Sequence, residues 1–256
     1  MTTDRASLPA VRKAVILAAG RGTRLGSLTT NTPKPLLEVA GRPLVVHVLD
    51  GLVRAGVTDF TIITGYLGDQ VERELGNGAA AGIEVRYIHQ AQLDGTARAV
   101  ALARDWLDGE RFFAGWADIL VRPETYAAVI RASRLADAAL AINRTSDPFA
   151  GAAVYVDNED GDGLVTRIVE KPPRGTSATP WNNAGLCVLG PEAWPFIDRL
   201  DASPRAEYEL PQAIAAMVEA GLRVRSVPVA GPWFDVGTPE DLEQARLAFS
   251  PQAKEV

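Results

Sequence analysis

The sequence predicts an α/β fold, a mostly parallel sheet with helices on both faces, and two observations carry that expectation. Short apolar runs that read as buried strands alternate with stretches of helical periodicity from Lys13 to Asn143. Glycine and proline punctuate them at the spacing of right-handed crossovers. The 256 residues are 47% hydrophobic and 23% charged, an ordinary globular composition that sets aside disordered and fibrous classes.

The elements follow in order. Lys13 to Ala19 is an apolar run ending at Gly20, a buried parallel strand entering a loop. Pro43 can open a helix in which Val45, Val48, Leu49 and Leu52 recur at helical spacing before Gly56. Strands are expected at 60–64, 83–89, 111–115 and 138–143, and helices at 69–75, 96–107 and 123–135. After Ser146 the rhythm changes: 153–156 and 164–169 read as a hairpin tipped by Asn158-Glu-Asp-Gly-Asp-Gly163. Further strands are expected at 184–189 and 224–229. No linker or repeat divides the chain, so one domain over 13–249 is expected, with a flexible lead-in at 1–12 and a tail at 250–256.

Charge and cysteine usage narrow the function. A net charge of −6 argues against non-specific nucleic-acid binding, and no apolar run is long enough to span a bilayer. Cys187 is the only cysteine, which excludes an internal disulfide and points to a reducing, cytoplasmic setting. With His47 and His89 as the two histidines, a zinc cage is not available, and oxygen ligands to magnesium are the better expectation. Between Val11 and Arg42 six basic residues face one acid, Glu38. A positive segment in an acidic chain fits a small anion better than a long polyanion.

The stretch from Leu17 to Leu25 (LAAGRGTRL) is the most informative. Gly20 and Gly22 follow a strand, where a permissive backbone brings amides close to phosphate oxygens. It is neither a dinucleotide fingerprint, which needs glycine where Leu25 stands, nor a Walker loop, which needs Gly-Lys-Ser/Thr. A plain turn would suffice for the glycines alone. Thr23, Arg24 and the following Thr32-Pro-Lys-Pro-Leu-Leu37 add a stiffened lysine to the loop, so that Arg24 and Lys34 can hold one triphosphate.

At these residues the chain resembles the sugar nucleotidyltransferase family, including glucose-1-phosphate thymidylyltransferases and uridylyltransferases. The likeness continues through Gln90 with Gly95-Thr96-Ala97, Asp118, Glu170-Lys171-Pro172, Asn183-Ala184-Gly185, and Trp233 to Leu242. It implies a GT-A-like, Rossmann-like mixed sheet and a reaction that joins a nucleoside triphosphate to a sugar 1-phosphate and releases pyrophosphate.

The resemblance also implies roles. Arg24 would bind the leaving pyrophosphate, Lys34 would neutralise charge between the substrates, and Lys171 would hold the sugar phosphate. Leu17, Ala19, Gly20, Gly22, Thr23, Gln90, Gly95 and Thr96 would line the nucleotide site, and Glu170, Asn183 and Gly151 the sugar site, with Ala152 an equal candidate to Gly151. Asp118 and Asp235 would hold Mg²⁺. Such cations answer a physical need, because unit charges about 4 Å apart repel by about 4 kcal/mol at an effective dielectric of about 20. Gln90 favours UTP or dTTP, with CTP and GTP, or a non-glucose sugar or alditol phosphate, as alternatives. A homo-oligomer is compatible with such a chain.

Blander readings stand beside these. Lys171 with Glu170 would also suit a surface ion pair, and Asp235 a turn, although Thr238 before Pro239 is the better helix cap. His47 and Cys187 are expected to be structural, and Trp116 and Trp181, which flank the site segments, to pack in preference to the alternative of stacking on a base or sugar. A non-catalytic nucleotide sensor would keep the pocket and lose a charged site residue, whereas all are present. A glycosyltransferase would carry an Asp-x-Asp after the early strands. The one such match, Asp160-Gly161-Asp162, lies on the hairpin tip, which is expected to be exposed.

Overall fold

The computed structural model describes residues 10–203 and 206–250. All but Ser250 of the tail expected at 250–256, and most of the lead-in expected at 1–12, lie outside that range. Val11, however, is buried in the core, and the Arg12 carbonyl accepts from the amides of Thr58 and Asp59.

The first half holds strands β1 (Lys13–Ala18), β2 (Glu38–Val39), β3 (Arg42–Pro43), β4 (Asp59–Thr64), β5 (Glu84–His89), β6 (Phe112–Trp116) and β7 (Ile119–Val121). Between them run helices α1 (Leu44–Arg54), α2 (Gly68–Leu75), α3 (Thr96–Ala101) and α4 (Arg104–Leu107). The second half adds α5 (Pro123–Ser133), β8 (Ala138–Arg144), β9 (Ala152–Val156), β10 (Val165–Glu170), β11 (Trp181–Leu189), α6 (Trp194–Asp198), α7 (Leu210–Glu219), β12 (Val224–Pro228), β13 (Trp233–Asp235) and α8 (Pro239–Ala248).

Among the described residues nine strands form the central sheet, in the order β10-β9-β11-β6-β1-β4-β5, with β8 and β12 joined alongside β11. β1 pairs parallel with both β4 and β6, and β5 pairs parallel with β4. β11 runs antiparallel to β6, β8 and β9, so the second half is mixed, as expected. Alternation along β1 explains the layers: Ala14, Ile16 and Ala18 face the core with α1 and α5, and Val15 and Leu17 face the core with α3, α4, α6 and α7.

Local chemistry fixes the helices. In α1 the periodic Val45, Val48, Leu49 and Leu52 are buried, and Gly56, at φ 94°, ends the run in a conformation that disfavours a side chain. The helix expected over 96–107 is two helices. The turn between them tightens, with the Ala103 amide donating to the Val100 carbonyl at 3.1 Å. Thr238 caps α8 in a reciprocal box with Asp241. The Asp160-Gly161-Asp162 tip is not a free hairpin end: the Ser226 hydroxyl donates to the Gly161 carbonyl and Arg225 pairs with Asp162 at 3.1 Å.

The small β2–β3 pair was not expected, nor were two features beside the cleft. β7 and β13 form a separate antiparallel pair, with Asp235 opposite Ile119. In β11 the register slips between Asn183 and Cys187, where Gly185 takes φ 77° and its amide donates to Asn183 Oδ1 at 2.9 Å.

Candidate active site

β1 delivers the chain to the glycine loop at the carboxyl end of the parallel strands, where ligands bind in open α/β sheets. Gly22 is left-handed and starts the short turn Thr23–Thr29. A Cβ there would lie 3.2 Å from Lys34 Cβ and 3.1 Å from Thr29 Cγ2, so the glycine lets the lysine stem pack against the loop. A cleft of about 580 Å³ opens here. Leu17, Ala19, Gly20, Gly22, Thr23, Gln90, Gly95 and Thr96 all line it, as do Arg24, Lys34 and Asp118.

Gly95 is more tightly constrained. It sits at φ 120°, and a Cβ would collide with the backbone of Tyr208. A strap around Tyr208 crosses it: the Tyr208 amide donates to the Asp94 carbonyl at 2.8 Å, and the Ala97 amide to the Tyr208 carbonyl at 2.9 Å. Thr96 Oγ1 accepts from the Leu210 amide at 2.8 Å. Gln90 is 7% exposed, and its Nε2 donates to Asp94 Oδ1 at 3.2 Å and to the Gly95 carbonyl at 3.3 Å. Flipping the amide would set oxygen against oxygen at both contacts, so its orientation is fixed. Oε1 then has no partner among the described residues.

A second compartment, about 320 Å³, adjoins the first and shares Thr96, Trp116 and Glu209 with it. Glu170, Lys171, Asn183, Asp235, Gly151 and Ala152 line it. Lys171 takes a left-handed φ of 44°, and its amide donates to the Gly151 carbonyl at 2.7 Å. Its ammonium lies 3.0 Å from Glu170 and 3.5 Å from Glu209. Asn183 Oδ1 is occupied by the Gly185 amide, which leaves its Nδ2 as the end not committed to that turn.

The charged groups meet at the junction. The Lys34 ammonium pairs with Asp118 and stands 3.8 Å from Asp235; the lysine side chain is 11% exposed, Asp118's 17% and Asp235's 45%. Arg24 lies over Gly237, where a Cβ would come within 2.8 Å of Nη2. Asp235 titrates above the usual carboxylate range. Protein crowded around it raises its pKa first and the Asp118 charge second, while Lys34 and Arg24 pull the other way. Two negative groups held together by two cations form a site that gains from further positive charge.

Comparison with known proteins bears on this arrangement. The profile of the nucleotidyl transferase family matches residues 13–251. The chain belongs to that family. It is 31% identical to a glucose-1-phosphate thymidylyltransferase of Streptomyces antibioticus over 90% of this chain and 64% of that one. It is 30% identical to a UTP–glucose-1-phosphate uridylyltransferase of Haloferax volcanii, over 91% of this chain and 94% of that one. A putative glucose-1-phosphate thymidylyltransferase from Bacillus anthracis, solved with sucrose, superposes with a TM-score of 0.83 at 25% identity, covering 95% and 96% of the two chains. The chain thus spans just under two thirds of the Streptomyces relative and nearly all of the haloarchaeal one.

For this family member the donor set has a definite chemistry. Asp118 and Asp235 offer carboxylate oxygens from the same end of the β7–β13 pair, and among the described residues no third His, Cys, Asp or Glu joins them in a metal cluster. Two carboxylates suit a divalent ion that completes its shell with water and phosphate oxygens. Among the described residues no helix is long and apolar enough to cross a membrane.

The structural readings of the remaining residues hold in part. His47 Nε2 bonds the Val39 carbonyl at 2.8 Å, and Trp181 and Cys187 are buried. Trp116 lines both compartments rather than serving packing alone. Glu209 and Asn182 were missed. No motif flags Glu209, although the Leu-Pro that follows it announces a helix start. Asn182 was overlooked beside Asn183.

Proposed function

We propose that the protein is a Mg²⁺-dependent sugar-1-phosphate nucleotidylyltransferase that condenses a nucleoside triphosphate, UTP or dTTP by preference, with a sugar 1-phosphate. A phosphate oxygen of the sugar phosphate forms a bond to the α-phosphorus while the α–β bridging oxygen leaves with the electron pair as pyrophosphate. No covalent protein intermediate is needed, so positioning and charge neutralisation carry the rate.

The observation that carries the reading is the junction itself. Lys34, between Asp118 and Asp235, lies where the larger cleft, read here as the triphosphate compartment, meets a second, lysine-bearing compartment. Arg24 would hold the β- and γ-phosphates and then the departing pyrophosphate. Lys34 would offset the repulsion between the two anions, and Lys171 would seat the incoming phosphate. Asp118 and Asp235 would hold the Mg²⁺, which supplies further neutralisation of the triphosphate. Fixed donors of this kind act without reorganising during the reaction.

Base selection rests on Gln90. With Nε2 committed to Asp94 and Gly95, Oε1 is presented as an acceptor, which complements the N3–H of uracil or thymine. Cytosine has an acceptor at N3 and is disfavoured. The two relatives named above carry thymidylyl- and uridylyltransferase names, in keeping with this choice.

Pyrophosphate release across a grid of nucleoside triphosphates and sugar 1-phosphates, with and without Mg²⁺, tests the proposal. Saturable release dependent on all three components is expected. No release with any pair would refute it.

A further inference from the structure

The acceptor compartment contains an amide whose hydrogen bonding is incomplete. Asn182 is 8% exposed and lines the compartment beside Gly151. Its Nδ2 donates to Asn143 Oδ1 at 3.0 Å and to the Asn183 carbonyl at 2.8 Å. Both partners are acceptors, so the amide cannot be turned over. Its Oδ1 is left buried and without a partner among the described residues.

A buried acceptor left unmatched is costly, and native proteins rarely tolerate one without a use. The surroundings leave no room for a side chain against this oxygen. Any Cβ at Gly151 would collide with Asn182 Oδ1, so glycine is the residue that leaves space above it. Gly151 is also tied to Lys171 through the Lys171 amide. The orphan oxygen therefore sits beside the segment that carries the proposed phosphate-binding lysine. Asp147 lines the same compartment, and its Oδ1 is likewise buried without a partner, while its Oδ2 accepts from the Gly175 amide at 2.9 Å.

Two unmatched acceptors lining one compartment call for a ligand that brings donors. We infer that Asn182 is a specificity-determining residue that accepts, through Oδ1, a hydrogen bond from an O–H or N–H group on the body of the acceptor phosphate, with Asp147 taking a second donor. This rests on the proposed function and deepens it. The acceptor is a polyhydroxylated or amino-bearing phosphate, not a bare alkyl phosphate, and the amide polices one particular position on it. A site built around a donor rejects the analogue lacking it far more strongly than an apolar pocket rejects a size change.

The test uses the sugar 1-phosphate that the wild type turns over best, with its single-position deoxy and amino analogues, in the wild type and in Asn182→Leu. The wild type should lose about tenfold or more in kcat/KM at one deoxy position. An amino group at that position should restore turnover. In Asn182→Leu the hydroxy-to-deoxy ratio at that position should fall to about one, while ratios elsewhere and the KM for the triphosphate stay unchanged. If Asn182→Leu does not fold, Asn182→Ala makes the same comparison. A wild type that turns over but tolerates every deoxy analogue, or a folded variant that keeps its discrimination, overturns this inference alone. A wild type silent on every pair contradicts the proposed function as well.

Discussion

Asp118 and Asp235 are held together by one short pairing: the Val236 amide donates to the Asp118 carbonyl at 3.1 Å, and β13 runs back along β7 from that rung. Lys34 then reaches both carboxylates from the glycine-loop side. Three residues distant in sequence thus share one electrostatic balance, and disturbing any of them should show.

Lys34→Met removes the cation that faces both acids. Turnover should fall at least about a hundredfold, the scale expected when a fixed charge-stabilising group is lost from a transferase site. The fold should survive, because Lys34 belongs to none of the hydrophobic clusters and methionine keeps the length of its stem. Steady-state kinetics beside circular dichroism measures both.

Asp235→Asn should lower activity and stabilise the metal-free protein. The folded state raises the pKa of Asp235, so the native protein binds this proton more tightly than the unfolded chain. The associated stability is present at low pH and is lost as pH rises through the interval between the ordinary carboxylate value and the raised one. At neutral pH the charged group is a liability that asparagine removes. With nearly half of the side chain open to solvent the gain is modest, about 1–3 °C in Tm. Melting curves at pH 4 and pH 7 check the sign, and the difference between variant and wild type should be larger at pH 7.

Gly95→Val should damage the nucleotide site and the fold together. A side chain there meets the Tyr208 backbone and must adopt φ 120°. A loss of about 2–4 kcal/mol is expected, with a raised KM for the triphosphate. Urea denaturation and initial rates measure the two effects.

Cys187 should be chemically silent. It is fully enclosed, and burial pushes its thiol up to about 12. Native protein at pH 8 should not react with a thiol reagent until it is denatured, and activity should survive treatment. Rapid labelling of the native protein would contradict the core placement.

Much of this was legible in the sequence, and the reason is periodicity. Continuous apolar runs identify β1, β4 and β6, and spaced valines and leucines identify α1, because burial there is dictated by pattern. The glycine loop and the Pro33-Lys34-Pro35 segment were legible because backbone permissiveness and stiffness are properties of residue type. What stayed hidden depends on contacts between distant segments. β7 and β13 are three residues each, too short for any periodic signal, yet their pairing is what joins Asp118 to Asp235. The strap over Gly95, and with it Glu209 at the shared wall, has no motif. Asn182 gains its meaning from Gly151 across the sheet, which no local pattern shows.

The most direct measurement is pyrophosphate release during a Mg²⁺ titration with a triphosphate and a sugar 1-phosphate, run on the wild type and on Asp118→Asn/Asp235→Asn. The wild type should show saturable, Mg²⁺-dependent release, and the folded double variant none at any Mg²⁺ concentration. Undiminished release by the double variant would contradict transfer at the Lys34–Asp118–Asp235 junction.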